Sequence, residues 1–329
     1  MKKVTAGLML SALALAASSA FATDEIVIGL ITKTETNPFF VKMKEGAQAE
    51  AKKLGAKLLT AAGKNDGDTA GQIAAMENMA GAGVKTILIT ASGDAIIPTV
   101  KKLQAKGVQV IALDSPFNGA DALFATDNYK AGVLIGEYAK AAMGGKPVKI
   151  ATLDLFPGHP VGAQRHNGFM KGFGLPASDA KSNELSTNAA IVCMADSFGD
   201  QAKGQTAMEN CLQKDPEINV VYTINEPAAA GAFNALKKAG KEKGVTIVSV
   251  DGGCQGVKDT SSGMIAATSQ QYPLKMAELG VAAGVEYAKT GKRSTGYTDT
   301  GVTLISAKAV PGVKIGGVGL GLNLCWGNK

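Results

Sequence analysis

The sequence predicts an α/β protein of two Rossmann-like lobes, each built on a parallel sheet. Short apolar, β-branched segments alternate with amphipathic helical segments along most of the chain, the pattern of a parallel sheet covered by helices on both faces. At 329 residues the chain has room for two domains of roughly 150 residues each. A weak internal repeat marks the two halves. "KTILIT", a helix and "VQVIALD" in the first half are echoed by "NVVYTIN", a helix and "VTIVSVD" in the second, and the two repeats end on Asp114 and Asp251. Two similar lobes facing each other leave a cleft between them.

The elements follow in order. "IVIGLI" (Ile26–Ile31) is apolar and β-branched, as a strand buried on both faces should be. Asn37 then supplies an N-cap and Pro38 a first helical residue, and Phe40, Met43, Ala47, Ala51 and Leu54 recur at helical spacing up to a stop at Gly55. "KLLTAA" reads as a strand, Thr69–Ala82 as a helix, "KTILIT" as a strand, Ala95–Lys106 as a helix and "VQVIALD" as the next strand. A helix runs from just after Asp127-Asn128 to about Met143, followed by the strand "VKIATLDL" and a helix over Ala163–Gly172. The last part reads as helix Asp200–Lys214, strand "NVVYTIN", helix Glu226–Ala239, strand "VTIVSVD" and the long helix Tyr272–Lys289.

Composition narrows the function. Hydrophobic residues are 46% and charged residues 19%, which excludes disorder over most of the chain. Only the extreme N-terminus has a long uncharged apolar run, which argues against a multi-span membrane protein. Lys2 and Lys3, an apolar run from Val4 to Ala17 and the Ala20-Phe21-Ala22 site are the three parts of an export signal cleaved after Ala22. The expected mature protein is therefore soluble outside the cytoplasm. The formal net charge of +6, two units of which are Lys2 and Lys3, is spread as lysine along amphipathic helices, and export makes nucleic acid an improbable partner. Four cysteines, Cys193, Cys211, Cys254 and Cys325, fall in the mature chain; an oxidising compartment suggests two disulfides, with buried thiols as the alternative, and the residues alone leave three pairings open.

Polar residues collect where strands end. In open α/β sheets ligands bind beyond the carboxyl ends of the strands. Asn37, Asp114, Asn225 and Asp251 fall there, each a planar group able to engage adjacent hydroxyls in bidentate fashion. Phe39 and Phe40 add aromatic faces suited to the C–H face of a sugar ring. Singly, each Asn or Asp is better explained as a cap or turn residue; together they point to a polar small-molecule cleft. Arg165, one of two arginines, follows the Gly/Pro-rich "FPGHPVGAQRHNGF" and offers a rigid donor fork, the alternative being a surface ion pair.

Signals for catalysis are weak. His159 and His166 are the only imidazoles, too few for a metal site, and no G-x-S-x-G or Walker A sequence is present. Gly316, Gly317, Gly319 and Gly321 lack the spacing of a nucleotide loop. No cofactor and no metal is expected. Asp114 and Asp251 as a glycosidase pair is open but unsupported.

The sequence resembles the ribose-binding-protein-like family of periplasmic sugar-binding proteins that feed ABC importers, from about Asp24 to about Ser306. The resemblance is carried by "TNPFF", "VIALDS", "FATDN", "RHNGF", "INEPAAAGAFNAL", "VSVDGG" and "ATSQQYP", in this order. "LITKTETNPFF", "AMENCLQKDP", "TINEPAAAGA", "SVDGGCQGVK" and the terminal "CWG" look most like fructose-binding members. The resemblance implies sugar-binding roles for Asn37, Phe39, Phe40, Asp114, Arg165, Asn225, Asp251 and Gln271, and more loosely for Lys33, Ser115 and Phe198. Ribose-binding members place an arginine where Ser115 stands, so the change argues against simple ribose specificity and suits a larger ketohexose. Implied too are a periplasmic binding protein fold of type I with three hinge crossings, an N-terminal lobe of residues 23–127 plus 271–299 and a C-terminal lobe of 128–270 plus 300–329. Pairing Cys254 with Cys325 would tie the long C-terminal tail to the loop after Asp251, leaving Cys193 with Cys211. The function so implied is non-enzymatic: a monomer in the periplasm captures a monosaccharide, fructose first and ribose or mannose next, by hinge closure and delivers it to a membrane permease with its ATPase. A sensor presenting sugar to a chemoreceptor or kinase, and an exported enzyme acting on sugars, are the alternatives.

Overall fold

The computed structural model describes residues 25–327, so the expected export signal lies outside the described residues. In chain order the elements are β1 (Val27–Thr32), α1 (Pro38–Leu54), β2 (Lys57–Ala62), α2 (Thr69–Gly81), β3 (Thr86–Ile89), a short 3₁₀ turn, α3 (Ile97–Ala105), β4 (Gln109–Leu113), β5 (Ala122–Ala125) and α4 (Asn128–Met143). They continue with β6 (Ile150–Asp154), α5 (Pro160–Phe173), β7 (Ile191–Asp196), α6 (Gln201–Lys214), β8 (Val220–Thr223), α7 (Glu226–Lys238), β9 (Thr246–Asp251) and α8 (Cys254–Ser262). The chain ends with β10 (Ala267–Gln270), α9 (Pro273–Thr290), β11 (Gly296–Asp299), β12 (Thr303–Ile305) and α10 (Val318–Leu324). No helix of the described residues is long and apolar enough to cross a membrane.

The strands form two six-stranded sheets, ordered β11-β5-β4-β3-β1-β2 and β12-β10-β9-β8-β6-β7. The first is parallel throughout. The second is parallel except for its edge strand β12, which runs antiparallel to β10. The chain passes between the sheets three times: between β5 and α4, between β10 and α9, and between β11 and β12. The architecture is thus two α/β lobes joined by three crossings.

The central strands of each sheet are buried on both faces, which explains their near-continuous apolar sequences. In lobe one, Ile28 and Leu30 pack with α1 and α9 residues such as Met43, Met276 and Val281 on one face. Ile31, Ile87 and Ile89 turn the other way onto Met76, Val100 and Leu103 of α2 and α3. Lobe two repeats the scheme, with Ile150, Tyr222 and Val248 against α4 and α5, and Leu153, Val221 and Ile247 against α6 and α7.

Several elements carry no periodic signal that betrays them in the sequence. Strands β5 and β11 are four residues each, too short for a periodic run, and β11 ("GYTD") is exposed throughout while β5 ("ALFA") is mostly buried. Helix α8, "CQGVKDTSS", is rich in poor helix formers and lacks a side-chain cap; its fixture is the Cys254–Cys325 disulfide at its first residue. Helix α5 begins at Pro160, three residues before Ala163, because the His159 side chain accepts from the Val161 N–H and proline occupies the first turn. The second disulfide pairs Cys193 on β7 with Cys211 on α6, Cα atoms 5.5 Å apart.

Candidate functional site

The carboxyl ends of the strands face each other across the gap between the lobes. Among the described residues only three non-glycine residues have positive φ: Asp114 (60°), Phe198 (56°) and Asp251 (144°). All three lie where chemistry was expected from the sequence. Strained backbone of this kind costs about 1–3 kcal/mol and persists where the surroundings over-determine it. Asp114 follows β4, and Asp251 ends β9.

Arg165 is the hub between these two carboxylates. It sits on the sixth residue of α5, whose neighbour α4 lies unusually close. A Cβ on Gly132 would meet the Arg165 carbonyl oxygen at 2.1 Å, and one on Gly168 would meet that of Tyr129 at 2.1 Å. Glycine is therefore required at both contacts, and the resulting backbone approach brings Arg165 beside Asn128 at the start of α4. Arg165 Nε donates to Asn128 Oδ1 (2.8 Å) and Nη1 donates to the Ile224 carbonyl (2.9 Å). Held this way, Nη2 comes within 4.0 Å of Asp114 Oδ1 and Nη1 within 3.9 Å of Asp251 Oδ1. One buried guanidinium thus reaches across the gap from lobe two to lobe one.

Around it lies a partly open cavity. Phe39, Phe40, Leu155, Val161 and Ile224 give it apolar wall; Lys33, Asn37, Asp66, Asp114, Arg165, Asn225, Asp251 and Gln271 give it polar wall. This mixture suits a small polyol: a few fixed polar groups within apolar surface. Asp114 Oδ1 and Gln271 Oε1 are buried and bonded to nothing in the protein. A buried acceptor without a donor costs about 1–3 kcal/mol, so these atoms are ready to accept hydroxyl protons.

The remaining bonds orient the wall. Ser115 Oγ donates to Asp114 Oδ2 (2.9 Å), and Gln271 Nε2 donates to Asp251 Oδ1 (2.7 Å). Burial pushes the Asp251 carboxyl up to about 7, against the Arg165 charge and the Gln271 bond that oppose it. On the far side, Lys33 Nζ of lobe one lies 3.1 Å from His159 Nε2 of lobe two and 4.0 Å from Asp66 Oδ2. The Val161 N–H donates to His159 Nδ1, so the ring proton belongs on Nε2, which also faces the Ala91 carbonyl. Burial holds His159 well below the usual imidazole range and lowers Lys33, with Asp66 and Asp114 opposing the latter.

Of the residues singled out in the sequence, Asn37, Phe39, Phe40, Asp114, Arg165, Asn225, Asp251, Gln271 and Lys33 all line this cavity. Two do not. Ser115 is fully buried behind Asp114, its hydroxyl spent on that carboxylate. Phe198 is 39% exposed, stacked on Phe156 at 5.8 Å with Lys203 Nζ 4.0 Å from its ring centroid, and is not part of the wall. Asn37 and Asn225 also serve as helix caps, accepting from the Phe39 and Ala228 N–H groups. Sequence reasoning missed Asp66, which sits in a loop of ordinary turn residues, and the supporting roles of Asn128 and His159. The "FATDN" and "FPGHP" stretches were the only signals for the latter two. Among the described residues no group of His, Cys, Asp and Glu is placed to hold a metal ion.

Comparison with known proteins agrees with this architecture. Residues 28–293 match the periplasmic binding protein domain. The ribose import binding protein RbsB of Escherichia coli is 32% identical over 301 residues, covering 90% of this chain and 96% of that protein. The D-allose-binding periplasmic protein of Escherichia coli is 28% identical over 297 residues, covering 87% and 89%. Among solved structures, a galactofuranose binding protein superposes with a TM-score of 0.77 at 23% identity, covering 91% of this chain and 97% of that one. An ABC transporter solute binding protein from Agrobacterium vitis with bound D-fucose gives a TM-score of 0.75 at 26% identity, covering 85% and 95%.

Proposed function

The chain belongs to the periplasmic binding protein family, and from that premise we propose that it captures a single monosaccharide between its lobes and hands it to an ABC importer. The observation that carries this is the Arg165 bridge. One guanidinium from lobe two stands about equally far from a carboxylate of each lobe, at 4.0 and 3.9 Å. Hydroxyls entering between these groups gain donors and acceptors from both lobes at once. A ligand held that way binds the closed form in preference to the open one, which is the differential affinity that closure needs.

Fructose is the proposed sugar, with ribose and mannose next. Ser115 supports this choice, since its short side chain turns back onto Asp114. Lys33 and Asp66 add a donor and an acceptor to the cavity wall, suited to a ligand larger than a pentose. The partner proposed for the closed form is a membrane permease with its ATPase, the protein acting as a monomer in the periplasm.

A thermal-shift panel on the mature protein, refolded free of co-purified ligand, tests the reading. A ligand that binds only the native state raises the melting temperature by mass action. The expected result is the largest shift with fructose among fructose, ribose, mannose, glucose, galactose, xylose and arabinose. A larger shift with another sugar would keep the capture mechanism and remove the fructose assignment. No shift with any of them would remove the monosaccharide.

A further inference from the structure

The C-terminal tail does more than close the chain. Helix α10 packs on α8 and β12 of lobe two, and Gln270 Nε2 donates to the Gly321 carbonyl (3.1 Å). Cys325 is joined to Cys254, and the Cys254 N–H donates to the Trp326 carbonyl (2.9 Å). The tail is therefore fastened at the start of α8, just after Asp251. Yet Trp326, the only tryptophan and 5% exposed, packs into the apolar cluster of lobe one. Its ring meets Phe39 edge-on at 5.5 Å, and its Nε1 donates to the carbonyl of Gln271 in the second crossing (2.9 Å). Its opposite edge lies against Gly253, where a Cβ would come within 3.3 Å of the ring.

We propose that residues 318–327 form a strap, anchored covalently to lobe two, whose Trp326 docks behind Phe39 and sets the closed position of lobe one. Trp326 is a positioning residue: it is not part of the cavity wall, and acts through Phe39 and Gln271, which are. The line of contact runs from the Asp251 loop through Gly253 and Trp326 to Phe39. It links the two halves of the binding wall without passing through the ligand. Opening of the lobes must break the Trp326–Phe39 contact, because its two ends belong to different lobes. The Cys254–Cys325 bond keeps the strap in place while that happens.

The inference rests on the sugar-capture reading, and the experiment separates the two. Sugar affinity is measured by calorimetry for the wild-type protein, Trp326→Ala, Trp326→Phe and the double variant Cys254→Ser/Cys325→Ser, each first shown to be folded by circular dichroism. Emission from the sole tryptophan is followed through the wild-type titration. An edge-to-face aromatic contact of this size predicts that Trp326→Ala weakens binding roughly tenfold, with Trp326→Phe restoring most of it. The double cysteine variant should fall between them. Wild-type emission should change in proportion to sugar bound, as the ring docks against Phe39. Unchanged affinity in Trp326→Ala, or constant emission through a titration that calorimetry shows to saturate, overturns the strap alone. Absence of binding heat with every sugar in the wild-type protein overturns the capture reading and the strap with it.

Discussion

The two lobes share a fold but hold their binding groups differently. In lobe two Arg165 and Asn225 are tied down from within, Arg165 by Asn128 and Ile224 and Asn225 by its cap and by the Gly199 carbonyl, and Asp251 is bonded by Gln271 of the second crossing. Both disulfides also bind its elements together. Lobe one is less complete. Asp114 Oδ1 accepts no hydrogen bond within the protein, and the polar atom nearest Lys33 Nζ is His159 Nε2 of the other lobe. The difference teaches a division of labour. Lobe two presents a fixed set of donors and acceptors, and lobe one finds its partners only when closed. A preorganised surface loses less entropy on binding, so most discrimination between sugars should reside in lobe two.

Four changes would break or sharpen this contrast. The largest effect is expected for Arg165→Ala, which leaves Asp114 and Asp251 facing each other without their shared cation. Truncating one partner of a buried charge pair at a binding interface typically costs about 2–5 kcal/mol, a loss of roughly thirtyfold or more in sugar affinity. Calorimetry checks it, and an affinity within a few-fold of wild type would remove Arg165 from the hub. Next is the double variant Cys193→Ser/Cys211→Ser, which acts on lobe two away from the cavity. It should lower unfolding free energy in urea by about 2–4 kcal/mol with little change in affinity. A large affinity loss would show that lobe-two rigidity reaches the site.

The third prediction concerns pH. Asp251 is raised to about 7, chiefly by burial, so the folded protein holds that proton more tightly than the unfolded chain does. The stability it contributes is complete below the ordinary carboxylate value and is lost as pH rises toward about 7. In the sugar-free protein, melting temperature should therefore fall less steeply over this window in Asp251→Asn than in wild type. Equal slopes would place the proton elsewhere. The smallest effect is expected for Ser115→Ala. Removing its bond to Asp114 should cost about 1 kcal/mol, near a fivefold loss of affinity, since the serine only orients a lobe-one carboxylate. Titration of the variant checks this, and a loss as large as that of Arg165→Ala would make Ser115 a direct contact.

The same contrast governs what was legible in the sequence. The strand–helix alternation and the Asp114/Asp251 echo sufficed for two lobes, because burial on both faces writes long apolar runs. The rim residues were legible because Asn37, Asn225 and Asp251 fall at positions set by strand ends and caps. Asp66 was not, since a turn carboxylate looks the same whether it faces solvent or a cavity. Phe198 shared the aromatic type and the strained backbone of a site residue, but its ring leans on Phe156 instead. The close approach of α4 and α5 that places Arg165 depends on four glycines on two helices, Gly132, Gly136, Gly168 and Gly172, and glycines spaced four apart on separate helices gave no signal until paired in space.

Small-angle X-ray scattering of the mature protein with and without saturating fructose tests most directly whether one sugar draws the lobes together. The account predicts a smaller radius of gyration in the sugar complex, and no contraction in Arg165→Ala at the same concentration. Sugar bound by calorimetry without contraction, or an undiminished contraction in Arg165→Ala, would contradict closure through this bridge.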